Sequence, residues 1–174
     1  LPAHEIGDCA VRELRRNGVD TSLLLRGGPR LGVYFIEKGA SQRASKVIYD
    51  RAGSSVALAK AGEYDWDKIF SNANWFHWTG ITPALSDDCA EACFNACKTA
   101  QQRGITVSCD LNYRKKLWSR EKAGEVMTKL MPYVDWLIPS EEFAMKMTGT
   151  QTAELAAQRL YETYHPELLV LTQR

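Results

Sequence analysis

From Trp75 onward, short apolar runs alternate with longer stretches in which apolar residues recur every three or four positions. Trp75 to Thr79, Ile105 to Leu111, Val134 to Ile138 and Glu167 to Thr172 have the length and composition of buried strands. Between them, Ser86, Ser119 and Ser140 stand just before helical periods, where a serine hydroxyl can accept from a free amide of the first turn. The pattern predicts helices from Ser86 to Arg103 with Gly104 as breaker, from Ser119 through Met131, from Ser140 to near Gly149, and over Ala153 to Tyr164. Strand and helix alternating on this scale predict right-handed βαβ units, and so an α/β fold with a parallel sheet and helices on both faces.

The amino-terminal third reads differently. Gly7 or Asp8 can cap a first helix that uses Cys9, Ala10, Val11 and Leu14 as its apolar positions and stops at Asn17-Gly18. Its arginines, Arg12, Arg15 and Arg16, read as a solvated face. Arg30 to Glu37 and Ala44 to Arg51 are β-rich runs joined by the polar loop Lys38 to Arg43, which signals a hairpin. Alternation puts Leu31, Val33 and Phe35 on one face with Tyr34 and Ile36 on the other, and sets Val47, Tyr49 and Arg51 against Ile48 and Asp50. A ribbon with two usable faces can pack with one and cover a ligand with the other, which is the behaviour of a lid. The expected organisation is residues 1–29 in the α/β core, 30–58 as the β lid and 59–174 as the rest of the core.

Composition narrows the class. With 174 residues, 45% hydrophobic and 25% charged, the chain can build one sizeable core plus a small appendage. A net charge of +1 leaves no broad basic surface for a phosphate backbone, so nucleic acid is not an expected partner. No apolar run reaches the roughly 18 to 20 residues of a membrane span, and no basic-then-apolar leader opens the chain. A cytoplasmic protein is expected, and the cysteines agree. Cys89, Cys93 and Cys97 recur every fourth residue without C-x-x-C pairs, interleaved with Ala92, Ala96 and Ala100. That is a small-residue helix face able to sit close to a sheet; a zinc site is the alternative, but no histidine lies nearby. Leu1 is not a start methionine, and the Leu168 to Leu171 run lacks the crossover that a parallel strand normally leads into, so further sequence is expected on both sides.

Polar groups collect after the predicted strands: Gly80-Ile81-Thr82-Pro83, Asp110-Leu111-Asn112-Tyr113-Arg114 and Pro139-Ser140-Glu141-Glu142. In an open parallel sheet such ends converge on one edge, where ligands bind. Arg114 can grip a carboxylate or phosphate with two parallel hydrogen bonds, or it can form an internal ion pair with Asp110. Asn112 offers a donor and an acceptor together, or simply holds a turn. Glu141 and Glu142 suit a helix start. His77 reads as a satisfied core histidine. The common nucleotide and hydrolase fingerprints, a P-loop, G-x-G-x-x-G and G-x-S-x-G, are absent.

Taken in order, Arg30-Leu-Gly-Val-Tyr-Phe35, Val47-Ile-Tyr-Asp-Arg-Ala-Gly-Ser54, Trp78-Thr-Gly-Ile-Thr-Pro-Ala-Leu85 and Ser108-Cys-Asp-Leu-Asn-Tyr-Arg114 with Leu117-Trp118 resemble the ribokinase-like, phosphofructokinase-B type carbohydrate kinases. Within that family the similarity is greatest to the 2-keto-3-deoxygluconate kinase branch. The resemblance implies a doubly wound, mostly parallel sheet with a small β-hairpin lid, and transfer of the γ-phosphoryl group of ATP, with Mg²⁺, to a sugar acid. It further implies that Tyr34, Tyr49, Arg51, Ile81 and Arg114 contact the sugar acid. Asn112 and Tyr113 would lie toward the nucleotide, and Arg114 would also support the transferring phosphate. Two arginines suit an anionic substrate, because phosphoryl transfer depends on positioning and charge neutralisation. The hairpin's apolar face, including Leu31, Val33 and Phe35, is also expected to pair with its copy in a homo-oligomer.

Two departures matter. Where the family has N-x-x-E, this chain reads Ser140-Glu-Glu-Phe143, so neither end of the metal-associated motif is met. The family's G-A-G-D segment, which carries the catalytic aspartate, is absent, so no catalytic base is assigned and Asp110 is not put in its place. Another hexose kinase, such as a fructokinase, and a non-catalytic sugar-acid-binding or dimerisation module are the alternative readings.

Overall fold

The computed structural model describes residues 1–173 and divides into two compact units, residues 1–59 and residues from Lys60 onward. In the first unit, helix α1 spans Glu5–Arg16, with Glu5 and Asp8 in its first turn and Arg15 and Arg16 in its last, the arrangement that complements a helix dipole. It begins before the expected cap. Gly7 lies inside the helix because the preceding chain crosses it: a Cβ there would sit 2.0 Å from the carbonyl oxygen of Pro2. That carbonyl also accepts from Arg26 Nη2 at 2.8 Å, and Arg26 pairs with Asp8 at 2.7 Å. Of the arginines on α1, Arg15 is tied to the Thr21 hydroxyl at 2.7 Å.

Strands β1 (Val33–Glu37) and β2 (Lys46–Asp50) form the predicted antiparallel hairpin, with Tyr34 opposite Tyr49 and Phe35 opposite Ile48. Each is shorter than the alternation suggested. The ladder ends at Val33 and Asp50, where the Arg30 side chain donates to the Asp50 carbonyl at 3.1 Å. The short helix α2, Ser55–Leu58, follows.

The second unit opens with the short helix α3 (Trp66–Ile69) and then alternates β3 (Trp75–Thr79), α4 (Asp87–Gln102), β4 (Thr106–Asp110), α5 (Arg120–Leu130), β5 (Trp136–Ile138), α6 (Glu141–Thr148), α7 (Ala153–Tyr164) and β6 (Leu168–Leu169). The four strands pair in parallel in the order β3-β4-β5-β6. Serine caps fix three of the helix starts: Ser86, Ser119 and Ser140 accept from the amides of Cys89, Lys122 and Phe143. Gly149 closes α6 in the left-handed conformation that glycine adopts freely.

One cross-strand row, Trp78, Cys109, Leu137 and Leu169, faces the core. Against it packs the small-residue face of α4, where Ala96, Cys97 and Ala100 are fully buried. The other row, His77, Ser108, Trp136 and Leu168, lies on the opposite face. There the Ser108 hydroxyl, itself buried, meets Trp75 Nε1 and His77 Nδ1, each at 2.8 Å. His77 is therefore an exposed residue tethered to a buried hydroxyl, not a core histidine. Strand β5 begins two residues later than expected because the Asp135 carboxylate, not a backbone carbonyl, accepts from the Val107 amide at 2.7 Å. Beyond β6 the ladder continues as single bonds, with Thr172 N donating to Pro139 O at 3.0 Å.

Burial shapes the thiols. Desolvation pushes Cys93 up to about 12 and raises Cys97 and Cys109 further from the thiolate range. Among the described residues no disulfide forms, and the interleaved face of α4 packs against the sheet.

Candidate functional site

The carboxyl ends of β3, β4 and β5 meet at backbone distance. Gly80 N donates to Asp110 O at 2.8 Å, and a Cβ on Gly80 would lie only 2.1 Å from the carbonyl oxygen of Leu111, so glycine lets the two chain exits touch. Just beyond, Asn112 takes a left-handed φ of 32°, a conformation that asparagine tolerates better than most residues. Its amide donates to Asp110 Oδ1 at 3.1 Å, and its side-chain nitrogen donates to Thr79 Oγ1 at 3.3 Å. Asn112 therefore staples β4 to β3 and aims the following residues outward.

Those residues line a cavity of about 550 Å³ bounded by Asp110, Asn112, Tyr113, Arg114, Lys115, Arg120, Ser140, Glu142, Phe143, Lys146 and Thr172. Thr172 reaches it because its carbonyl accepts from Glu141 N at 3.1 Å. Arg114, Lys115, Arg120 and Lys146 give the cavity four cations against the carboxylates of Asp110 and Glu142. Lys146 is bonded to Glu142 one turn away on α6. Arg114 is exposed and forms no ion pair among the described residues, so the alternative of an internal pair with Asp110 is not realised. An unengaged guanidinium beside a cavity can still take a carboxylate or phosphate with both arms.

A second cavity, of about 250 Å³, shares Tyr113, Arg120, Phe143 and Lys146 with the first and continues into apolar lining from Leu111, Trp118, Met127 and Met147. Tyr113 stacks on Phe143 at 5.2 Å and 12°, so the family's glutamate position is here an aromatic wall. Trp118 Nε1 is buried without a hydrogen-bond partner among the described residues.

In the hairpin, the structure brings Tyr34, Tyr49 and Arg51 onto one face. The two tyrosine rings are 6.1 Å apart, and the Arg51 guanidinium lies 4.4 Å from the centre of the Tyr49 ring. Such stacking holds a cation while leaving its edge free. Ile81, half-buried, follows Gly80 in the turn after β3, where Thr82 N donates to Thr79 O at 2.9 Å. Lys115, Arg120 and Lys146 escaped the sequence reading. Two of them sit on helices and reach the cavity only through the turn geometry, and the one available signal was the i, i+4 spacing of Glu142 and Lys146.

Comparison with known proteins finds relatives along nearly the whole chain. The sequence pattern described as pfkB family carbohydrate kinase matches residues 1–173. A 2-dehydro-3-deoxygalactonokinase of Haloferax volcanii is 37% identical over 169 residues, which are 94% of this chain and 53% of that protein. The crystal structure of 2-dehydro-3-deoxygluconokinase from Thermotoga maritima superposes with a TM-score of 0.92 at 43% identity, covering 97% of this chain and 54% of its own. A fructokinase from Xylella fastidiosa with bound ATP superposes with a TM-score of 0.79 at 25% identity, covering 99% of this chain and 53% of that one. The chain thus spans about half the length of the relatives it matches. With the parallel sheet, the hairpin and the pattern match over nearly every residue, the chain belongs to the pfkB family of carbohydrate kinases.

Proposed function

We propose that the polypeptide carrying these residues phosphorylates a 2-keto-3-deoxy sugar acid, converting 2-keto-3-deoxygluconate to its 6-phosphate with ATP. The observation that carries this reading is the unpaired Arg114 guanidinium at the carboxyl edge of the sheet, on a cavity with three further cations. In the reaction, the sugar hydroxyl oxygen bonds to the γ-phosphorus as the bond to the β,γ-bridging oxygen breaks and ADP leaves. Negative charge spreads over the transferring group and must be neutralised where it forms.

Tyr34, Tyr49, Arg51, Ile81 and Arg114 are the proposed sugar-acid contacts. Asn112 and Tyr113 serve the nucleotide side, and Arg114 also supports the transferring phosphate. Asp110, whose Oδ1 accepts from the Asn112 amide, is not proposed as the base that takes the hydroxyl proton. Magnesium typically binds through one or two carboxylates plus substrate phosphates, and this cavity offers Asp110 and Glu142 and no fuller cage. Mg²⁺ would therefore arrive with ATP and supply charge neutralisation.

Two features support the remaining parts of the proposal. Phe35 and Ile48, paired across the hairpin, are 61% and 52% exposed, which favours self-association of that face. Cysteines outside any disulfide fit a reducing cytoplasm, and among the described residues no helix is long and apolar enough to cross a membrane.

The test is ADP release by the product of the whole reading frame, supplied with 2-keto-3-deoxygluconate, 2-keto-3-deoxygalactonate or fructose. Arg114→Ala is expected to lower kcat/KM for the acid by roughly 10² to 10³, the size of losing one transition-state donor. Failure of both acids to release ADP, or an undiminished Arg114→Ala enzyme, refutes the reading.

A further inference from the structure

Arg51 is the hairpin cation that the proposed function sets against a carboxylate, yet among the described residues it has no ion pair of its own. The carboxylate nearest to it in sequence is Asp50, and Asp50 is already taken. Arg30 Nη1 donates to Asp50 Oδ1 at 2.9 Å and Nη2 donates to Asp50 Oδ2 at 2.7 Å, a two-pronged pairing that occupies both oxygens. The same guanidinium reaches further. Nη2 donates to the Asp50 carbonyl at 3.1 Å, and Nη1 donates to the Ala52 carbonyl at 3.0 Å.

These two carbonyls flank residue 51 on either side. Arg30 is itself anchored, since its carbonyl accepts from Ser55 N at 2.8 Å and from Ser55 Oγ at 2.9 Å. The carbonyl of Arg51 accepts from Ser54 N at 3.1 Å. Gly32 closes the remaining side, for a Cβ there would lie 3.3 Å from the Cβ of Arg51. The hydrogen bond from Arg30 also holds the Asp50 carboxyl below its usual range, so the clamp is fully ionised at neutral pH.

We infer that Arg30 is a positioning residue for Arg51, setting the preference for an acidic over a neutral sugar without touching either. It does so in two ways. It fixes the backbone on both sides of Arg51, so that the side chain leaves the strand in one direction and lies over Tyr49. It also consumes the adjacent carboxylate, which would otherwise compete with a substrate acid for the Arg51 guanidinium. A lysine cannot replace it, because a single ammonium cannot hold two carboxylate oxygens and two carbonyls with a planar fork.

This inference rests on the proposed role of Arg51, and the experiment separates the two. In the product of the whole reading frame, kcat and KM are measured for 2-keto-3-deoxygluconate and for fructose, in the parent and in Arg30→Gln, Arg30→Lys and Arg51→Ala, with melting temperatures alongside. Arg51→Ala is expected to raise KM for the acid by about tenfold or more, the loss of one charge-assisted hydrogen bond. Arg30→Gln and Arg30→Lys should each raise KM for the acid by roughly three- to tenfold. Their kcat and their kcat/KM for fructose should stay within about twofold of the parent, because interactions equal in ground and transition states appear in KM.

If Arg51→Ala abolishes the acid preference while both Arg30 variants retain it, the positioning role is wrong and the function stands. An equal loss on both sugars in the Arg30 variants, or a fall confined to kcat, marks Arg30 as merely structural and overturns the inference. Should Arg51→Ala leave the preference intact, the substrate role of Arg51 falls, and the inference with it.

Discussion

Replacing Gly80 with alanine tests whether the strand ends that carry the site really meet at backbone distance. The added Cβ would start 2.1 Å from the Leu111 carbonyl oxygen and 2.9 Å from its carbon, and contacts under 3.0 Å essentially never occur. The chain exits of β3 and β4 would have to part by about 0.9 Å in a region packed as densely as a crystal. Overpacking of this kind costs about 1–3 kcal/mol. The same movement stretches the 2.8 Å bond from Gly80 N to Asp110 O, worth about 1 kcal/mol. Together these give roughly 2–4 kcal/mol, or a fall in Tm of about 4–16 °C for a protein of this size.

The assay is thermal unfolding followed by tryptophan fluorescence. All five tryptophans, Trp66, Trp75, Trp78, Trp118 and Trp136, lie in the second unit, so the signal reports that unit even if the two melt separately. Gly124→Ala is the control: it sits exposed in α5 with nothing within 4 Å of an added Cβ, and it should be neutral or stabilising by about 0.5–1 kcal/mol. A Gly80→Ala protein melting within about 1 °C of the parent would refute the close approach.

Two further outcomes are expected. Brief treatment of the native chain with iodoacetamide, read by peptide mapping, should label exposed Cys9 and leave the buried Cys89, Cys93, Cys97 and Cys109 unmodified until denaturant is added; rapid native labelling of Cys97 would contradict the packing of α4 on the sheet. Phe35→Asp, placed on the exposed face of the hairpin, should lower the sedimenting mass of the whole-reading-frame product, and an unchanged mass would remove the hairpin from its self-association.

Much of the architecture was legible because its determinants are local. Ser86, Ser119 and Ser140 announce helix starts by hydroxyls that bond within their own first turn, and Gly149 announces a stop by its own backbone. Non-local determinants misled. Gly7 looked like a cap, yet it is a glycine because Pro2, brought there by Arg26, crosses the helix. The hairpin strands were drawn too long because nothing in alternation reveals that Arg30 will claim the carbonyls of Asp50 and Ala52. At the site, the run from Asp110 to Arg114 was readable as an abrupt change from apolar to polar at a strand end. Arg120 and Lys146 were not, since their contribution depends on where two helices begin relative to that end.

The buried hydroxyl of Ser108 has one proton to give and two aromatic neighbours. An indole N–H can only donate, so the Ser108 oxygen accepts from Trp75, and the same oxygen also lies 2.8 Å from Nδ1 of His77. One serine on β4 thus fastens two rings of β3 across the ladder, so losing that hydroxyl would cut both ties at once.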